Sequence, residues 1–161
     1  MRAYNRIELE KVARETGFIR DNLEKVIRLS NILEFLVSDD NLKGKVVLKG
    51  GTAINLTVFD MPRLSVDIDL DYCCNSDKDT MMADRAVIGQ EILGHMQSNG
   101  YTIHPSSKNT HALDSWVFSY LNAGGNKDNI KIEINYMMRT HILEPRTRKT
   151  SIPFIDEVDV Y

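Results

Sequence analysis

In the stretch Val66-Asp67-Ile68-Asp69-Leu70-Asp71, three apolar residues alternate with three aspartates. Side chains alternate across a β-strand, so this pattern predicts a strand with Val66, Ile68 and Leu70 on one face. Asp67, Asp69 and Asp71 then share the other face. At a rise of ~3.3 Å per residue, successive aspartates stand ~6.6 Å apart. Three such carboxylates repel one another and need water, basic neighbours or a cation to compensate them. One reading is a solvated face of an edge strand. The other is a site for a hard divalent ion such as Mg²⁺, which chooses oxygen ligands and needs only one or two carboxylates beside substrate phosphates. A calcium-binding EF-hand loop is excluded, because its sixth position holds Tyr72 instead of Gly and its twelfth holds Lys78 instead of Glu.

The rest of the chain supplies a frame for that strand. Helical spacing of apolar residues predicts a short helix over 7–15, punctuated by Gly17, and a longer one running to about Val37. Asp21 with Glu24 three positions on resembles a capping box for the second helix. Lys45 to Leu48 reads as a short strand. Gly50-Gly51 breaks it, and Thr52 is placed to cap a helix over 53–59. Residues 64–72, 115–121 and 130–136 alternate as strands, and Thr80 to about Ser98 reads as a helix ended by Gly100. The turn-rich run 122–129 joins two of these strands as a hairpin, and a last strand is expected near 152–160. Helices first and antiparallel strands late give an α+β (mixed α/β) domain, with helices packed on a mixed sheet. A chain of 161 residues is expected to be a single domain over 1–161.

Composition narrows the function classes. The formal net charge is −3, which excludes a generic polyanion binder. No apolar run approaches the ~18 residues of a membrane helix, and no apolar stretch behind Met1 suggests a secretory signal. The two cysteines, Cys73 and Cys74, are neighbours outside any metal-ligand motif, and the four histidines lack His-Glu-x-x-His spacing. Both point to free thiols in a reducing cytoplasm and away from a histidine metal site.

Two further segments gain meaning from the aspartates. In Lys131-Ile132-Glu133-Ile134-Asn135-Tyr136, the isoleucines and Tyr136 face one way, and Lys131, Glu133 and Asn135 face the other. If this strand neighbours the first, Glu133 supplies a third carboxylate. Lys49-Gly50-Gly51-Thr52 lies between a strand and a helix. Glycine allows close backbone approach to a phosphate, and the helix start offers free N–H groups; ordinary turn chemistry is the alternative. It is neither a Walker loop nor a Gly-x-Gly-x-x-Gly turn. Arg63 and Ser65, just ahead of the aspartates, are placed to steer phosphate or hold Asp67.

Leu48-Lys49-Gly50-Gly51-Thr52-Ala53-Ile54-Asn55-Leu56, followed by Pro62-Arg63-Leu64-Ser65-Val66-Asp67-Ile68-Asp69-Leu70-Asp71, resembles the AbiEii-type nucleotidyltransferases. These are toxin components of bacterial abortive-infection and toxin–antitoxin systems, with the DNA polymerase β-like nucleotidyltransferase fold. The resemblance is strong over 45–72 and extends to 130–139. It implies that Gly50 and Gly51 meet a nucleoside triphosphate, that Asp67 and Asp69 bind Mg²⁺ (or Mn²⁺), and that Glu133 is the third acid. The implied activity is transfer of a nucleoside monophosphate to a hydroxyl of RNA, tRNA among the candidates, or of a protein. An antitoxin protein is the implied partner. Family members usually continue into a helical C-terminal half whose Lys and Arg residues contact nucleotide, and this chain is expected to lack that half. A catalytically incomplete nucleotide- or metal-binding module acting through a partner is therefore the alternative.

Two weaker signals remain. Val12 to Phe18 with the helix after it faintly suggests a DNA-binding helix-turn-helix, opposed by Glu8, Glu10, Glu15 and Asp21. Arg139, Arg146, Arg148 and Lys149 read either as contacts to RNA phosphates or as a solvated loop.

Overall fold

The computed structural model describes residues 5–57, 67–137, 146–149 and 159–160. Helix α1 (Arg6–Thr16) begins at Asn5, where a capping box forms. The Asn5 side chain accepts from the Glu8 amide at 3.0 Å, and the Glu8 carboxylate accepts from the Asn5 amide at 2.9 Å. Gly17 closes the helix in the left-handed region at φ 74°.

Helix α2 (Arg20–Ser38) opens at Ile19 without a side-chain cap, so the box expected from Asp21 and Glu24 does not form. Asp21 pairs with Arg20. Glu24 is only 6% exposed, and it accepts from Arg28 and from the amide of Ala123 at 2.7 Å. The half-buried amide in the turn between two strands takes Glu24 as its long-range acceptor, and this contact is made in place of local capping.

Strands β1 (Val46–Lys49), β2 (Asp67–Tyr72), β3 (Thr102–Ile103), β4 (Lys108–Asn109), β5 (Leu113–Leu121) and β6 (Lys127–Asn135) form one mixed sheet. Its order is β1-β2-β6-β5-β3, with β4 also on β5. The β5–β6 hairpin is antiparallel, as the turn-rich run predicts. β2 pairs antiparallel with β1 and parallel with β6. Helix α3 (Gly50–Thr57) follows β1 directly, starting earlier than the expected Thr52 cap. Helix α4 (Lys78–Ser98) is capped by Asp77, whose side chain accepts from the Thr80 amide. Strands β7 (Arg148–Lys149) and β8 (Asp159–Val160) make a separate antiparallel pair. Of the expected last strand, 152–158 lie outside the described residues, as do 64–66 of the aspartate strand.

One face of the large sheet carries the core. Ile68, Leu70, Trp116, Phe118, Ile130, Ile132 and Ile134 are buried with α2 residues such as Leu29, Leu33 and Leu36 and with Ile88, Ile92 and Met96 of α4. Leu9 of α1 joins Leu23 and Ile27 of α2 in a smaller cluster. Because α2 buries Leu23, Val26, Leu29 and Leu33, it is a packing helix and not an exposed recognition helix. Packing of these helices is the reading the sequence favours over the faint helix-turn-helix signal.

Asp84 fastens α4 to the sheet. Its carboxylate accepts from Lys45 Nζ at 2.7 Å and from the Tyr72 hydroxyl at 2.6 Å. Partial burial acts to raise its pKa, but Lys45 and Tyr72 outweigh burial and hold it below the ordinary range. A carboxyl whose pKa falls on folding stabilises the fold above its unfolded value, and that contribution is lost as pH drops through the folded value. Asp84→Ala is expected to cost about 1–3 kcal/mol at neutral pH. The gap from wild type narrows below about pH 4. Urea unfolding across pH reads both effects.

Candidate active site

The site is a row of polar side chains on the face of the sheet opposite α2 and α4. Asp67, Asp69 and Asp71 point to that face because Ile68, Leu70 and Tyr72 are buried in the core. In β6 the same alternation buries Ile130, Ile132 and Ile134 and turns Lys131, Glu133 and Asn135 outward. Parallel pairing then sets the register: Asp67 opposite Lys131, Asp69 opposite Glu133, Asp71 opposite Asn135. On the other flank, Lys49 of β1 lies opposite Asp69. Paired strands lie ~4.8 Å apart, so Glu133 is a true neighbour of the aspartates. The condition placed on Glu133 by the sequence is met.

The charges are crowded and only partly compensated. Lys131 Nζ donates to Glu133 Oε2 at 2.7 Å, and Lys49 Nζ donates to Asp71 Oδ1 at 2.5 Å. Asn135 Nδ2 donates to the same Asp71 oxygen at 2.9 Å. Asp71 thus serves to anchor Lys49, the residue before the diglycine. Partial burial raises the Asp69 pKa, and the carboxylates of Glu133 and Asp67 push it further up against Lys131 and Lys49. Burial also acts to raise Glu133, yet Lys131 and the Ser115 hydroxyl hold it below the ordinary range. Asp69 is therefore a carboxyl whose surroundings leave its charge under-compensated, the property expected of a cation ligand.

The diglycine lies against this row. Gly50 has φ 73°, and a Cβ at this position would stand 2.8 Å from Asp69 Oδ2. Only glycine lets the backbone turn there and pass so close. Thr52 is 1% exposed, and its hydroxyl donates to the carbonyl of Asp67. Instead of capping α3, Thr52 ties the glycine turn to the start of β2. The structure thus brings together Gly50, Thr52, Asp67, Asp69 and Glu133, with Gly51 exposed beside Gly50. Arg63 and Ser65 lie outside the described residues, as does Arg139. Arg146, Arg148 and Lys149 are exposed.

Among the described residues, no three His, Cys, Asp or Glu side chains are gathered into a ready metal cage. Glu133 is turned to Lys131, which accounts for this. The donor chemistry still suits Mg²⁺ or Mn²⁺: hard oxygen atoms on adjacent strands, one of them short of countercharge. A groove of about 690 Å³ between α4 and β5, lined by Arg85, Gly89, Leu93 and Trp116, is on the opposite side of the sheet and includes none of these residues. Cys73 and Cys74 are free thiols, and burial pushes Cys73 up to about 11.

A family model described as the nucleotidyl transferase AbiEii toxin of type IV toxin–antitoxin systems matches residues 32–161, well over half of the chain. The chain belongs to the AbiEii family. Comparison with curated proteins gives no match. Membership makes this AbiEii domain a nucleotidyltransferase, and its helices and mixed sheet agree with the α+β nucleotidyltransferase fold. The matched span contains the diglycine and the whole acidic row, and it starts part-way along α2. Sequence reasoning assigned no role in the AbiEii site to Lys49, Lys131, Asn135 or Ser115. The signal for Lys131 and Asn135 was present, since both share the outward face with Glu133. Lys49 and Ser115 depend on strand neighbours that a sequence does not name. Among the described residues no helix is long and apolar enough to cross a membrane.

Proposed function

We propose that this AbiEii domain transfers a nucleoside monophosphate from a nucleoside triphosphate to an acceptor hydroxyl, with Mg²⁺ or Mn²⁺ as cofactor. The observation that carries the reading is Asp69 flanked in register by Glu133 while Gly50 passes against its carboxylate. The acceptor oxygen forms a bond to the α-phosphorus. The bond from that phosphorus to the bridging oxygen breaks, and pyrophosphate leaves with the electron pair. Asp67, Asp69 and Glu133 would hold the cations, which when bound neutralise charge on the attacking and leaving oxygens. In this reading Glu133 either takes the acceptor proton as well or serves as a ligand only. Gly50 and Gly51 offer backbone without side-chain obstruction to the triphosphate, and Arg63 and Ser65 are assigned to its phosphates. Positioning and charge neutralisation supply most of the rate.

The acceptor is RNA, tRNA among the candidates, or a protein. The reaction is placed in the cytoplasm, in keeping with the free thiols of Cys73 and Cys74. The family description supports a toxin role with an antitoxin counterpart. The Lys131–Glu133 pair favours a second reading, a nucleotide- or metal-binding module without turnover, because one acid is already neutralised. Incubation with each α-labelled nucleoside triphosphate, Mg²⁺, total RNA and cell protein separates the two. Label incorporated into RNA or protein supports transfer. Nucleotide binding by calorimetry with no incorporation supports the module.

A further inference from the structure

We propose that Lys131 is a resident counter-cation that competes with the divalent metal for Glu133, and so sets how much metal the site holds before nucleotide arrives. The inference rests on the transferase reading of the acidic row and adds to it a positioning residue. Lys131 is two residues from Glu133 on the same strand and the same face, and its Nζ stands 2.7 Å from Glu133 Oε2. In register it lies opposite Asp67, and its charge is felt by Asp67 and Asp69 as well as by Glu133. Its side chain is 37% exposed, on a flexible stem with room to turn away.

The other charged and polar groups on this face do not provide the same contact. Lys49 is spent on Asp71, which Asn135 also holds. Ser115, opposite Glu133 on β5, supplies a hydroxyl but no charge. Only one group therefore occupies Glu133 with a full positive charge among the described residues, and a metal ion that uses Glu133 has to displace it. This accounts for an acidic row that is aligned by register yet not drawn into a cage. It also gives Lys131 a use in the resting protein: it relieves repulsion among Asp67, Asp69 and Glu133 while no metal is bound.

The test uses Mn²⁺ alone, titrated into the full chain without nucleotide and followed by electron paramagnetic resonance. Lys131→Met is expected to bind Mn²⁺ about tenfold more tightly than wild type, equivalent to about 1.4 kcal/mol. Lys131→Gln gives a gain of the same sign and guards against a folding defect in the methionine variant. Lys131→Arg stays near wild type, since it keeps charge and reach. The gain must vanish when Lys131→Met is combined with Glu133→Gln, compared with Glu133→Gln alone. Unchanged or weaker Mn²⁺ binding in Lys131→Met and Lys131→Gln, or a gain that survives without Glu133, overturns the proposal while leaving the metal site standing. Absence of Mn²⁺ binding in wild type and in both Lys131 variants removes the metal site and the proposal together.

Discussion

Asp67→Asn combined with Asp69→Asn is expected to abolish nucleotide transfer while leaving the protein at least as stable as wild type. Asparagine keeps the shape of each side chain and removes the charge that a cation needs. Loss of one preorganised electrostatic group at a reacting centre commonly costs about 10²–10³-fold in rate. Two adjacent ligands removed together should bring transfer to background. Stability runs the other way. The Asp69 pKa is raised in the folded chain, by burial first and then by Glu133 and Asp67. A carboxyl raised on folding favours the fold at low pH, where it carries its proton, and that advantage is lost as pH rises through the folded value. At neutral pH its charge therefore opposes folding, and asparagine removes that opposition. Label transfer and urea unfolding on the same preparation read both effects. Transfer retained by the double variant would refute the assignment of these aspartates.

Gly50→Ala is expected to lower transfer by about 10²-fold, the scale associated with a misplacement of ~1 Å at a reacting group. Two costs combine at this position. The left-handed backbone disfavours an L-residue by roughly 1–2 kcal/mol. The new methyl would also stand 2.8 Å from Asp69 Oδ2, so the carboxylate or the turn has to move. Gly100→Ala separates the two. Gly100 also has a left-handed φ, 82°, but nothing lies within 4 Å of its added Cβ. It should lose similar stability and keep full transfer. Thermal unfolding beside the label assay makes the comparison. Equal activity losses in the two variants would show that the contact with Asp69 has no catalytic consequence.

The sequence displayed the acidic row because strand alternation is a local property. Asp67, Asp69, Glu133 and their buried partners follow from a period of two residues, whatever the rest of the chain does. The hairpin of β5 and β6 was legible for a similar reason, since its turn residues are contiguous. Pairings between distant strands were not. Nothing near Asp69 announces that β6 joins β2 in parallel, or that Lys49 lies across from it on β1. The use of Asp71 to hold Lys49 was out of reach for that reason, whereas Lys131 and Glu133 share one face of one strand and their ion pair follows from the same alternation. Local rules also misplaced two polar residues. Glu24 resembles half of a capping box, yet the half-buried amide of Ala123 and Arg28 claim it. Thr52 resembles a helix cap, yet its hydroxyl reaches the Asp67 carbonyl. In each case a tertiary partner won over the helix end.

The parallel pairing of β2 with β6 joins positions 64 residues apart, as between Asp71 and Asn135. A nascent chain thus exposes both aspartates proposed to hold metal long before the ribosome has added Glu133 or Lys131. Synthesis proceeds from the N-terminus at roughly 5–20 residues per second. For several seconds each copy carries half of the proposed acidic row and no means of completing it. Strand order alone therefore keeps the proposed acidic row from assembling in an unfinished molecule.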